Sequence, residues 1–119
     1  MDHENGRVAE SDKELRIKNY SSFRSLPRAP EAQIIGKQLL RSGTSVAANY
    51  RAMGRARSKA EFTAKLGIVV EEADETVFWL ELLLESNIVA NERLADLLKE
   101  AGELTALFAA SQRTARSNC

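Results

Sequence analysis

Four carboxylates crowd into residues 71–75: Glu71, Glu72, Asp74 and Glu75. Clustered acids on a helix are the chemistry of divalent-cation binding. A di-iron bundle, however, needs Glu-x-x-His motifs on two helices. The chain has one histidine, His3, near its start, so the ligand count fails. Two carboxylates alone can chelate magnesium only unspecifically. Thr44, Ser45, Asn49 and Thr76 offer hydroxyl and amide groups. A serine nucleophile needs a base, and neither a usable histidine nor a Ser–Lys pair stands near these residues. Gly-rich phosphate loops, paired metal cysteines and dinucleotide fingerprints are absent. The expectation is no catalytic residue, no metal, no cofactor and no enzyme. The small hydroxyls read as groups that bond back to the preceding helical turn, and Asn49 as a polar residue that fixes helix register.

The cations form a clearer group. Arg41, Arg51, Arg55, Arg57, Lys59 and Lys65 gather around one predicted turn and the helices beside it. Arginine and lysine neutralise backbone phosphates and carry most non-specific nucleic-acid affinity. Arg51, Arg55, Arg57, Lys59 and Lys65 are therefore candidate nucleic-acid-binding residues, with Tyr50 as a stacking neighbour. The competing reading is a solvated or ion-paired face. Arg41 stands apart, among small residues, where its guanidinium can reach Glu71, Glu72 or Glu75. A partly buried Arg–carboxylate fork is the expected arrangement. Charge is uneven along the chain. Residues 1–65 hold 13 Lys/Arg and 7 Asp/Glu, and residues 66–119 hold 4 and 10, within totals of 17 and 17. An anionic partner for the basic half, or pairing of the two halves, would each account for this.

The third group is apolar. VFWLELLL (77–84) is polar only at Glu81. A helix apolar on several faces is buried on several faces. Phe78, Trp79 and Leu82 are candidates for a subunit interface, since aromatic residues are enriched in such anchors. A broad intramolecular core is the alternative.

Four helices must position these groups. Ser11 to Glu14 has capping-box spacing, and Leu15, Ile17, Tyr20, Phe23 and Leu26 give a first helix ending before Pro27 and Pro30. Pro30 suits the first turn of a second helix, whose apolar stripe is Ile34, Ile35, Leu39, Val46, Tyr50 and Met53, with Gly54 as a left-handed cap. Ser58 to Glu61 is another capping box. The third helix carries Phe62, Leu66, Val69, Ala73, Val77, Leu80 and Leu84, and stops near Asn87. Asn91 caps a fourth, with Leu94, Leu97, Leu98, Ala101, Leu104, Leu107 and Phe108. Short links make neighbours antiparallel. The fold class is all-α: an antiparallel up-down-up-down four-helix bundle over residues 11–111, with flexible tails at 1–10 and 112–119.

The signature LLRSGTSVAANYR (39–51), ARSKAEF (56–62), Lys65-Leu66, EADET (72–76) and Trp79-Leu80 resembles the four-helix-bundle family of the 23S rRNA intervening sequence. That S23-like family includes the accessory variability determinants of diversity-generating retroelements. The resemblance implies a bacterial cytosolic protein that forms a homopentameric ring around a central channel. In retroelement members the channel is basic, and the protein binds nucleic acid and a reverse transcriptase. This chain departs from them in being neutral overall.

The lone cysteine is Cys119, which fits a reducing compartment. The first ten residues are polar and acidic where a signal peptide needs an apolar core. The apolar runs fall short of the roughly 20 residues that span a bilayer. The expected protein is cytoplasmic, without a membrane partner. It is a homo-oligomeric assembly or adaptor protein with protein partners. Its alternative role is that of a nucleic-acid-binding accessory protein using the basic cluster, with RNA or a reverse transcriptase as partner.

Overall fold

The computed structural model describes residues 26–86 and 92–117, apart from the side chain of Arg93. Helix α1 spans Pro30–Met53, α2 spans Lys59–Glu85 and α3 spans Glu92–Ser117. They correspond to the second, third and fourth helices expected above, and no strand occurs among the described residues. The expected first helix (up to residue 25), the stop at Asn87 and the cap at Asn91 lie outside the described residues, as does the 1–10 tail.

Each helix starts and stops for local reasons. Pro30 lacks the amide hydrogen that a first turn leaves unused, and Glu31 lies at the positive end of α1. No side chain caps that end. Gln33 secures the entry instead, its Nε2 donating to the Pro27 carbonyl at 2.9 Å. Gly54 closes α1 in a right-handed conformation, φ −65° and ψ −14°, not the left-handed cap expected. The chain keeps turning the same way, with the Arg55 amide donating to the Ala52 carbonyl at 3.0 Å, so no reversal is needed. Ser58 caps α2, its Oγ accepting from the Glu61 amide at 3.0 Å. The carboxylate of Glu61 reaches back one residue further than a capping box would place it, accepting from the Arg57 amide at 3.3 Å.

Antiparallel packing follows from which residues meet. Ser42 of α1 meets Thr76 of α2. Tyr50 of α1 stacks, tilted, on Phe108 of α3, with centroids 5.7 Å apart. Gly67 of α2 lies beside Gln112 of α3. Helix α2 packs against both others, whereas α1 and α3 bring no Cα atoms within 8 Å of each other. They are diagonal, with α2 at the corner between them.

The core combines Leu39 and Val46 with Leu66, Val69, Leu80 and Leu83, and with Leu94, Leu97, Leu104 and Phe108, all at 2% exposure or less. Ile34 and Phe62, expected in the core, are 63% and 38% exposed. Ile34 lies off the Leu39–Val46 stripe, and Phe62 lies beyond the last turn of α1. Helix α3 runs to Ser117, past Gln112, where a flexible tail was expected. Ala115 still packs on the core, and Ser111, Thr114 and Ser117 return hydrogen bonds to the preceding turn.

Two glycines inside helices are open to improvement. A Cβ at Gly67 would meet Gln112 Nε2 at 3.6 Å, an ordinary contact, and one at Gly102 would meet nothing within 4 Å. Gly67→Ala and Gly102→Ala should each stabilise the fold by about 1 kcal/mol. Thermal unfolding should shift upward by a few degrees for each. An unchanged or lowered midpoint would contradict the open space assigned to these positions.

Candidate functional site

Arg41 is the hub of a polar network between α1 and α2. Its Nη1 donates to Glu72 Oε2 at 3.3 Å, and its Nη2 donates to Glu75 Oε1. Its Nε donates to Gln38 Oε1 at 3.1 Å. Trp79 Nε1 donates to the same Glu75 oxygen at 3.2 Å. The structure thus brings together Arg41, Glu72 and Glu75, with Trp79 added; Glu71 is exposed and outside the network. The hydrogen bond from Arg41, then that from Trp79, holds the Glu75 carboxyl below its ordinary value, and the bond to Glu75 raises the Arg41 guanidinium. The fork is partly buried on its carboxylate side, with Glu72 at 20% and Glu75 at 35% exposure, while the Arg41 side chain is 47% exposed. Water screens such a pair, and it contributes at most about 1 kcal/mol. Its effect is to orient the side chains around it.

Those side chains form an apolar face. Ile34, Gln38 and Arg41 follow one another at four- and three-residue steps, which aligns them on one side of α1. Glu75, Trp79 and Leu82 do the same on α2. Phe78 projects away from the core at 53% exposure, and Ile68, nearly three turns earlier on α2, is 37% exposed. Phe78 meets Trp79 edge to face, with centroids 4.9 Å apart. Trp79 and Leu82 are half-buried. Of the three interface candidates, Phe78 stands furthest into solvent, while Trp79 is braced by Glu75.

The cations occupy one end of the molecule. Arg51, Arg55, Arg57, Lys59 and Lys65 surround the α1–α2 turn. Because α3 runs antiparallel to α2, its last turns bring Arg113 and Arg116 to that same end. Among the described residues, none of these side chains makes an ion pair. The acid beside them among the described residues is Glu61, whose carboxylate accepts from the Arg57 amide. Farther along the bundle the balance reverses, with Glu71, Asp74, Glu81 and Glu85 on α2 and Asp96 and Glu103 on α3. The charge asymmetry of the sequence is therefore a polarity along the bundle. Tyr50 belongs to the core side of this region, half-buried against Phe108.

The sequence pattern of the 23S rRNA-intervening sequence protein family matches residues 4–110. The chain belongs to that family. A crystal structure of a protein with unknown function from the S23 ribosomal protein family of Bacteroides thetaiotaomicron is similar throughout. The two are 31% identical, with a TM-score of 0.80, over 88% of this chain and 97% of that one. No match was found among curated proteins.

In this S23-family chain the remaining polar residues are used structurally. Thr44 Oγ1 bonds the carbonyls of Leu40 and Arg41 at 2.9 and 3.0 Å. Asn49 Nδ2 donates to the Ser45 carbonyl at 2.9 Å and to Ser45 Oγ at 3.2 Å, so it braces its own helix. Among the described residues, no group of three or more His, Cys, Asp or Glu could hold a metal ion, and no helix is long and apolar enough to cross a membrane. Sequence reading missed Ile34 and Ile68 on the apolar face, and Arg113 and Arg116 at the basic end. For the two arginines a signal existed: antiparallel helices of 27 and 26 residues must bring the end of one to the start of the other.

Proposed function

We propose that this chain is a non-enzymatic four-helix bundle that assembles with copies of itself and serves as a cytoplasmic assembly or adaptor protein. The observation that carries this is the set of apolar residues left at the surface, Ile34, Ile68 and Phe78, with Leu82 half-buried and Trp79 half-buried against the core beside Phe78. Exposed apolar groups that line up on one face mark protein contacts more than scattered ones do. On this reading the helix expected before Pro27 would be the fourth member of the bundle. Gly36 and Gly43 support this. Both are buried, and they lie roughly 100–120° round the axis of α1 from Ser42, which faces α2. The resemblance to the S23-like family favours five copies in a ring. Light scattering should give a mass of about five chains, and Phe78→Asp should reduce it by placing a charge in the interface. A wild-type monomer at high concentration would sink the assembly reading; an unchanged mass for Phe78→Asp would remove this face from it.

A second reading has its own observation, the unpaired cations at one end. It is that this end binds the phosphate backbone of nucleic acid. The bundle should then be retained on RNA at low salt and released steeply as salt rises, because binding frees condensed counterions. The triple change Arg51→Glu, Arg55→Glu, Arg57→Glu should abolish retention without unfolding the chain, since none of the three is ion-paired. Retention that survives it would exclude this end as the site.

A further inference from the structure

We propose that Phe62 is a base-stacking residue, so that the basic end takes single-stranded nucleic acid. This rests on the nucleic-acid reading above and names the ligand class for that site. Phe62 lies in the first turn of α2, its amide donating to the Ser58 carbonyl at 3.0 Å. It continues the stripe of Leu66 and Val69, but at 38% exposure where those two are at 1% and 0%. The stripe has outrun its cover: α1 ends at Met53 and α3 at Ser117, so the ring sits at the open end of the core.

A lone exposed apolar side chain carries no meaning by itself. The surroundings give this one its meaning. Lys59 and Lys65 lie three residues to either side, on the same side of the helix and about 9 Å apart along its axis. Arg55 and Arg57 lie on the preceding turn, and Arg113 and Arg116 lie on α3 at the same end. Single-strand binders pair a basic track with an aromatic ring on which a base stacks, and they tolerate any sequence because every base has a π-face. Tyr50, the ring nearest in sequence to the cations, is engaged by Phe108. Phe62 is the one exposed aromatic ring among these cations in the described residues. The arginine-rich set suits phosphate, which the planar guanidinium grips through two hydrogen bonds. An acidic peptide is the rival ligand, for which the ring would have no specific use.

The test compares full-length wild type, Phe62→Ala and Phe62→Tyr on four probes: a short oligouridylate, an RNA duplex, inorganic polyphosphate and polyglutamate. Phe62→Ala should lose about tenfold or more in affinity for the oligouridylate, as expected for one base–aromatic stack. Its affinity for the duplex and polyphosphate should change less than about twofold, since backbone neutralisation is untouched. Phe62→Tyr should bind like wild type. A uniform loss across all probes, or no loss on oligouridylate, overturns the stacking role while leaving phosphate binding in place. Wild type that binds polyglutamate but no RNA overturns the nucleic-acid reading itself. Because Phe62 is 38% exposed, Phe62→Ala should lower the unfolding midpoint only modestly, and circular dichroism at the assay temperature separates lost stacking from lost folding.

Discussion

Replacing Phe108 with alanine is expected to destabilise the bundle by about 3–5 kcal/mol. The ring is 2% exposed, so its removal loses nearly all of its burial and leaves a cavity. Its position adds to the cost. The diagonal helices α1 and α3 bring no Cα atoms within 8 Å of each other, and the Tyr50–Phe108 pair, with centroids 5.7 Å apart, joins them across the core. Such pairs contribute about 0.5–1.5 kcal/mol beyond area burial. A domain's whole stability is about 5–15 kcal/mol, so Phe108→Ala should remove roughly a fifth or more of it. Phe78→Ala is the internal control. That ring stands in solvent, and its loss should leave the unfolding free energy of the chain within about 0.5 kcal/mol of wild type, measured in denaturant at a concentration where wild type and variant are in the same assembly state. Equal costs at the two positions would mean that the assignment of core and outer faces is wrong.

The contrast between these phenylalanines shows what the sequence carried. Element type and turn position were legible, because Pro30 and Ser58 act locally and the apolar stripes repeat at helical spacing. Face assignment was legible only where the stripe was unambiguous. Helix α2 is apolar at Val77, Phe78, Trp79, Leu80, Leu82, Leu83 and Leu84, so periodicity cannot choose among its faces. In the structure Leu80 and Leu83 are buried at 0% exposure and Phe78 is left at 53%. Burial at the start of α2 was misread for a related reason. Phe62 continues a stripe, yet burial also requires the neighbouring helices to extend as far, which is a fact about α1 and α3. The Arg41 fork was legible as a set of possible partners. Charge and reach offer Glu71, Glu72 or Glu75, and only the packing of α1 on α2 leaves Glu71 in solvent and turns the other two to Arg41. The basic end was half legible. Its first five members are close in sequence, and Arg113 and Arg116 join only when α3 folds back.

Thr76→Val is expected to cost about 1–2 kcal/mol, although valine matches threonine in shape and leaves no cavity. Thr76 and Ser42 are 1% and 0% exposed, so water can replace none of their hydrogen bonds. Ser42 Oγ donates to the Leu39 carbonyl at 3.1 Å and accepts from Thr76 Oγ1 at 2.9 Å. The single proton of Thr76 has a second acceptor, the Glu72 carbonyl, also at 2.9 Å. Deleting the hydroxyl therefore strips Ser42 of its incoming bond. Deleting Ser42 instead leaves Thr76 free to donate to Glu72. Leaving a buried polar group short of a partner costs more than removing both partners. Ser42→Ala should thus cost less than Thr76→Val, and the double variant should be no worse than Thr76→Val alone. A double-mutant cycle in urea reads this directly; strictly additive costs would refute the coupling. The pair also holds α1 against α2 one residue from the Arg41 fork. If it sets their register, Ser42→Ala/Thr76→Val should weaken assembly through the Ile34–Phe78 face even where the chain remains folded, and light scattering on the same samples would detect that loss of mass.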